Sequence, residues 1–209
     1  MAYGLEFKND NDVVTLDSEY SRLVVLQSGR YSGGAAFSPA ITTQEPPLVF
    51  FRPDASATFQ YTTISGGPGN WTGFSFIGGG VGSYFCAAFK AREIATYGLR
   101  LWDGSTNLLF DSGTPCAQFT RTIMSWTFLG ASQTGQGLTR GNWTAPSTLS
   151  TGDYMLINNI GMDVGGASTR TSKLYCTWEY ENDRILMFTI GAAISSYFYV
   201  PVVFAKPIS

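Results

Sequence analysis

Tyr97-Gly98-Leu99-Arg100-Leu101-Trp102-Asp103-Gly104-Ser105-Thr106-Asn107-Leu108-Leu109-Phe110-Asp111-Ser112 reads as one β-hairpin: an apolar pair, a polar turn, a second apolar stretch. Asp, Gly and Asn tolerate the positive φ that tight hairpins require, which places the turn at Asp103 to Thr106. The stretch has an earlier copy. Tyr3-Gly4-Leu5 and Leu16-Asp17-Ser18 flank the turn Asn9-Asp10-Asn11-Asp12, each 94 positions before its counterpart. A period of that length is far too long for a solenoid unit and fits a duplicated domain opening. It predicts two related domains in tandem, 1–93 and 94–209, opening with hairpins 3–18 and 97–112. One large jelly roll using both hairpins is the alternative.

Outward from the hairpins, Val, Ile, Thr, Tyr, Phe and Trp recur with a period near two, the signature of half-buried strands. Predicted strands include Leu23 to Gln27, Leu48 to Arg52, Thr58 to Ile64, Gly73 to Ile77 and Tyr84 to Lys90. Later ones are Thr122 to Leu129, Asp153 to Asn158, Lys173 to Tyr180, Arg184 to Ile190 and Tyr197 to Ala205. Gly130 to Thr151, rich in Gly, Ser and Thr, reads as a loop region enlarging the second domain. No window holds a helical period over eleven residues. The expectation is an all-β protein of antiparallel β-sandwich or jelly-roll-like architecture.

Composition narrows the function. Of 209 residues, 13% are charged and 24 are Gly, against roughly 25% charged in an average domain. Thirteen Lys and Arg oppose 15 Asp and Glu, scattered singly, so no basic stripe is present to grip nucleic acid. No apolar run approaches the roughly 18 residues of a membrane span. Glu6, Asp10 and Asp12 stand where a secretory signal would carry basic and then apolar residues. His is absent, which removes the commonest general base and metal ligand. Cys86, Cys116 and Cys176 have no zinc spacing and read as free thiols, with a single bridge between two of them as the alternative. Catalytic residues, cofactors and metal ligands are therefore all expected to be none.

Asn-Trp-Thr occurs twice, as Asn70-Trp71-Thr72 and Asn142-Trp143-Thr144. On exposed loops, each indole would stack on a sugar ring while Asn and Thr supply hydrogen bonds. The plainer reading makes each Trp the anchor of its loop. Glu179, Glu181 and Asp183 beside Arg184 read as a solvated hairpin end rather than a glycosidase pair. Asp10 and Asp12 lack the Gly and terminal Glu of a calcium loop. Gly78-Gly79-Gly80-Val81-Gly82 lacks the Lys-Ser/Thr ending of a phosphate loop and reads as a strand connection.

Met1-Ala2-Tyr3-Gly4-Leu5, the polar turn, Leu16-Asp17-Ser18 and Ser21-Arg22 resemble the amino terminus of accessory tail-tip and tail-fibre proteins of tailed bacteriophages. The resemblance covers most of residues 1 to 92, and Tyr97 to Ser112 is similar to the same opening. It implies a non-enzymatic virion protein made in the host cytoplasm without a signal peptide. Implied partners are other phage tail proteins, further copies of the chain in a homo-oligomer, and a bacterial surface glycan or protein receptor. The rival expectation, from another class, is a free carbohydrate-binding β-sandwich module.

Overall fold

The computed structural model describes residues 6–8, 10, 14–17, 22–146, 152–160, 163–164, 172–192 and 194–208. Tyr3, Gly4, Leu5, Asp12 and Ser18 of the first hairpin fall outside the described residues. Among those described there are eighteen strands and no helix. The first nine are β1 (Glu6–Lys8), β2 (Val14–Asp17), β3 (Leu23–Ser32), β4 (Gly34–Ile41), β5 (Leu48–Pro53), β6 (Ala57–Gly67), β7 (Asn70–Gly78), β8 (Val81–Phe89) and β9 (Arg100–Trp102). There follow β10 (Leu108–Asp111), β11 (Cys116–Ile123), β12 (Thr127–Gln133), β13 (Thr139–Pro146), β14 (Tyr154–Leu156), β15 (Asp163–Val164), β16 (Ser172–Glu179), β17 (Arg184–Ile190) and β18 (Val202–Ile208).

Two large sheets form a sandwich-like body. One is a closed barrel in the order β11-β18-β14-β5-β8-β3, and the other runs β12-β13-β17-β16-β6-β7-β4 with β15 attached to β16. The barrel closes where Cys116 pairs with Val24 and the Val25 N–H donates to the Pro115 carbonyl. Period-two alternation gives its strands two buried faces. Val49 and Phe51 of β5 enter the core shared with the open sheet, where Phe51 lies 4.7 Å from Phe59 and 6.2 Å from Trp178 between ring centroids. Phe50, their neighbour, turns the other way and stacks on Phe85 at 4.8 Å in a second cluster with Leu23, Ala87 and Ala205. Burying each such side chain contributes roughly 1.5–3 kcal/mol, so one short strand stabilises two cores at once.

The two hairpins stand as separate two-stranded sheets, β1-β2 and β9-β10. Their registers coincide. Glu6 pairs with Asp17, Phe7 with Leu16 and Lys8 with Val14; Arg100 pairs with Asp111, Leu101 with Phe110 and Trp102 with Leu108. Every pair keeps the 94-residue offset, including the register shift before the last. The repeat read from the sequence is thus a repeat of backbone pairing.

The halves expected on either side of residue 93 share both large sheets. β3, β5 and β8 come before it and β11, β14 and β18 after it, yet all six close one barrel. In the open sheet, β16 pairs with β6 through Cys176 and Phe59. Residue 93 therefore introduces the second hairpin without interrupting the ladders. Two expectations at the level of single strands change. In the region from Gly130 to Thr151, read as loop, residues 130–133 and 139–146 are strand: β12 and β13 form a hairpin, and β13 also pairs with β17 from Arg140 to Pro146. The predicted strand Thr122 to Leu129 is two strands, β11 in the barrel and β12 in the open sheet.

Candidate functional site

The two Asn-Trp-Thr tripeptides begin or cross different strands of the open sheet, separated by β17, β16 and β6. They do not meet. Asn142, Trp143 and Thr144 lie inside β13, which corrects the exposed-loop expectation. Trp143 is only 3% exposed, stacked at 5.0 Å on Phe198 and tilted against Phe128. Asn142 Oδ1 accepts from Arg140 Nε, and Thr144 Oγ1 donates to the Ile185 carbonyl. A strand with partners on both sides holds this tripeptide in packed surroundings, where no sugar reaches the indole face.

Asn70, Trp71 and Thr72 open β7. Asn70 and Thr72 are exposed, whereas Trp71 is half-buried against the main core. Its Nε1–H donates to the Thr43 carbonyl at 2.9 Å, and the Gly69 N–H donates to the same oxygen. Trp71 thereby pins the loop after β4 from behind. What that loop borders is a cleft.

The cleft, about 480 Å³, opens between the middle of β3, the far half of β4 and the segment after β8. A bulge shapes it. Ala36 and Ile41 of β4 pair with Gly73 and Trp71 of β7, so a five-residue step opposes a two-residue step and the intervening backbone bows outward. Bulges redirect backbone and side chains in this way beside functional sites. Gln27 satisfies the released groups, its Oε1 accepting from the Ser38 N–H and its Nε2 donating to the Pro39 carbonyl. The Gln27 carbonyl itself accepts from Cys86 Sγ at 3.6 Å. Leu26, Pro39 and Ile41 supply apolar lining. Ser38, Thr42 and Thr43 bring hydroxyl groups to the same wall.

The charged side chains lining this cleft are both cations, Lys90 and Arg92. Lys90 Nζ reaches Thr42 Oγ1 at 3.5 Å, and Arg92 Nη1 donates to the Leu26 carbonyl at 3.3 Å. Among the described residues neither has a carboxylate partner, in contrast to Arg30 with Asp54, Arg100 with Asp111 and Arg184 with Glu179. A more apolar hollow of about 750 Å³ continues past Lys90 towards Pro46, Leu48 and the exposed Phe89, with Glu45 on its rim.

The second hairpin fixes Arg92. Thr114 Oγ1 donates to the Arg92 carbonyl, and the buried Asp111 carboxylate accepts from the N–H groups of Ile94, Ala95 and Gly113 and from Arg100 Nε. Burial opposes the Asp111 charge, but the donors from Gly113, Arg100, Ala95 and Ile94 outweigh it and hold the carboxyl below the usual aspartate range. Ser112 Oγ accepts from the Leu99 N–H. A Cβ at Gly98, where φ is +142°, would collide with that hydroxyl, so Tyr97-Gly98-Leu99 requires its glycine. Asp111-Ser112 is thus a clamp on backbone amides.

Other candidates hold no such opening. Burial pushes the Cys86 thiol up to about 12 and the Cys176 thiol well above its ordinary value, which keeps both as unreactive thiols. The hydrogen bond from Arg184 draws the Glu179 carboxyl down despite partial burial, with Asn182 adding to it, the reverse of the raised acid a glycosidase needs. Among the described residues no three His, Cys, Asp or Glu side chains gather as a metal ligand set. Compared with known proteins, the chain matches no family model, no curated protein and no solved structure.

Proposed function

We propose that this chain is a non-enzymatic structural protein of a bacteriophage virion, carried at the tail tip or tail fibre, where it contributes to attachment to the host surface. The observation that carries this reading is the pair of hairpins with one register, each a two-stranded sheet apart from the large body. A double-sheet body bearing two hairpins of one register suits an assembly part that contacts other tail proteins or further copies of itself. The second hairpin carries exposed apolar side chains for such contacts: Tyr97 is 92% exposed and Trp102 48%.

Cryo-imaging and immunogold labelling of purified virions test the assignment. The expected result is label at the tail tip; particles of full infectivity that lack the chain would end it. A free carbohydrate-binding module is the second reading, favoured by the cleft beside Lys90 and Arg92. Glycan binding by the isolated chain together with its absence from virions would favour that module.

A further inference from the structure

We infer that the cleft between β3, β4 and the segment after β8 is a binding site for an acidic saccharide, its anionic group held by Lys90 and Arg92. This inference stands apart from any place in a virion, because it rests on the cleft alone.

Four observations converge. At about 480 Å³, the cleft falls within the 300–1,000 Å³ of small-molecule sites. Its walls mix hydroxyls of Ser38, Thr42 and Thr43 with apolar surface from Leu26 and Pro39, matching a sugar ring that has polar edges and apolar faces. Both charged side chains in the lining are positive on a chain of net charge −2, and among the described residues neither is paired with a carboxylate. The wall is also built in advance: Gln27 braces the bulge, Trp71 holds Thr43, and Thr114 with Asp111 holds the segment that carries Arg92. Such preorganisation lowers the ordering cost that binding otherwise incurs.

A carboxylate and a phosphate monoester or diester would each satisfy the two cations, so a uronic acid and a sugar phosphate share this chemistry. Arg supplies a planar fork and Lys a movable point charge. Neutral sugars would leave both cations in water and gain only the hydroxyl and apolar contacts.

The test is calorimetric titration of the whole chain with a trigalacturonate, with a sugar phosphate such as glucose 6-phosphate, and with neutral trigalactose. NMR shift mapping accompanies it, read at Leu26, Gln27 and the amides of Ser38 to Thr43 except Pro39. The expected result is saturable binding of an anionic sugar at least about tenfold tighter than of the neutral one, a difference of about 1.4 kcal/mol. Shifts should centre on the cleft, and Lys90→Gln/Arg92→Gln should erase the tenfold preference. Ala40→Trp keeps both cations and fills the space, so it should abolish binding even if the double variant unfolds. Preference for the uronate identifies a carboxylate source and preference for the sugar phosphate a phosphate source, either one supporting the site. Equal binding of neutral trigalactose, shifts away from the cleft, indifference to Ala40→Trp, or no binding by any probe overturns it. Tail-tip label on virions whose isolated chain binds none of these sugars would sink this site and leave the proposed virion role standing.

Discussion

The same three residues, Asn-Trp-Thr, meet two environments in this molecule. At 142–144 they cross the middle of a strand paired on both sides, and Trp143 fills space between Phe128 and Phe198. At 70–72 they start a strand beside a tight connection, and Trp71 keeps one edge bonded to a loop that borders a cleft. Local sequence is identical and each strand has two neighbours, β12 and β17 for β13, β6 and β4 for β7; the place along the strand and the side chains over the indole differ. Whether a tryptophan is core or brace is thus decided by what packs over it, here Phe128 and Phe198 or the Thr43 carbonyl, a long-range property.

That contrast yields a ranked set of substitutions. Trp143→Ala should cost most, about 3–5 kcal/mol, because the cavity is walled by aromatic rings that cannot collapse into it. Urea unfolding with an unchanged m-value checks the figure. Trp71→Ala should cost roughly half as much, since part of the ring already faces water, and should also loosen Thr43 enough to weaken ligand binding in the cleft. The conservative Trp71→Phe keeps most of the packing but loses the donor to the Thr43 carbonyl, for about 1 kcal/mol. Asn70→Ala and Thr72→Ala, both at exposed positions, should fall within about 0.5 kcal/mol of the parent. A Trp143→Ala variant no less stable than Asn70→Ala would break the contrast altogether. Binding that survives Trp71→Ala unaltered would instead remove only the bracing role.

The sequence made some of this legible for definite reasons. Hairpin chemistry is local, and the 94-residue offset carries the pairing register with it, because Asp, Gly and Asn at the turn fix which residues face each other. Arg184–Ile190 is apolar nearly throughout and its strand bounds were plain. β4 was not visible. Gly34, Ala35, Ala36 and Pro39 have poor strand propensity, and that segment is held by β7 and by the Gln27 amide, both remote in sequence. β13 and the second half of β12 escaped for the same reason, their Gly, Ser and Thr content reading as loop until pairing with each other and with β17 supplies a ladder. The cleft was beyond local reading: Lys90 and Arg92 look like two of many scattered charges until the barrel brings Leu26 and Gln27 beside them. As for the clamp, Asp111 and Ser112 were noticed as repeated letters, while their work is done on backbone amides that carry no side-chain signature.

The position of β18 has a kinetic meaning. Val202–Ile208 lies between β11 and β14, so a nascent chain that has emerged only as far as Pro201 exposes unpaired strand edges on both. The barrel cannot be completed in passing during synthesis; it closes by capture of a late segment onto strands made long before. Pairings of such sequence separation place folding in the slow range of milliseconds to seconds, and open edges in that interval are templates for pairing with a second chain. The interval before β18 arrives is when pairing with a wrong strand is easiest.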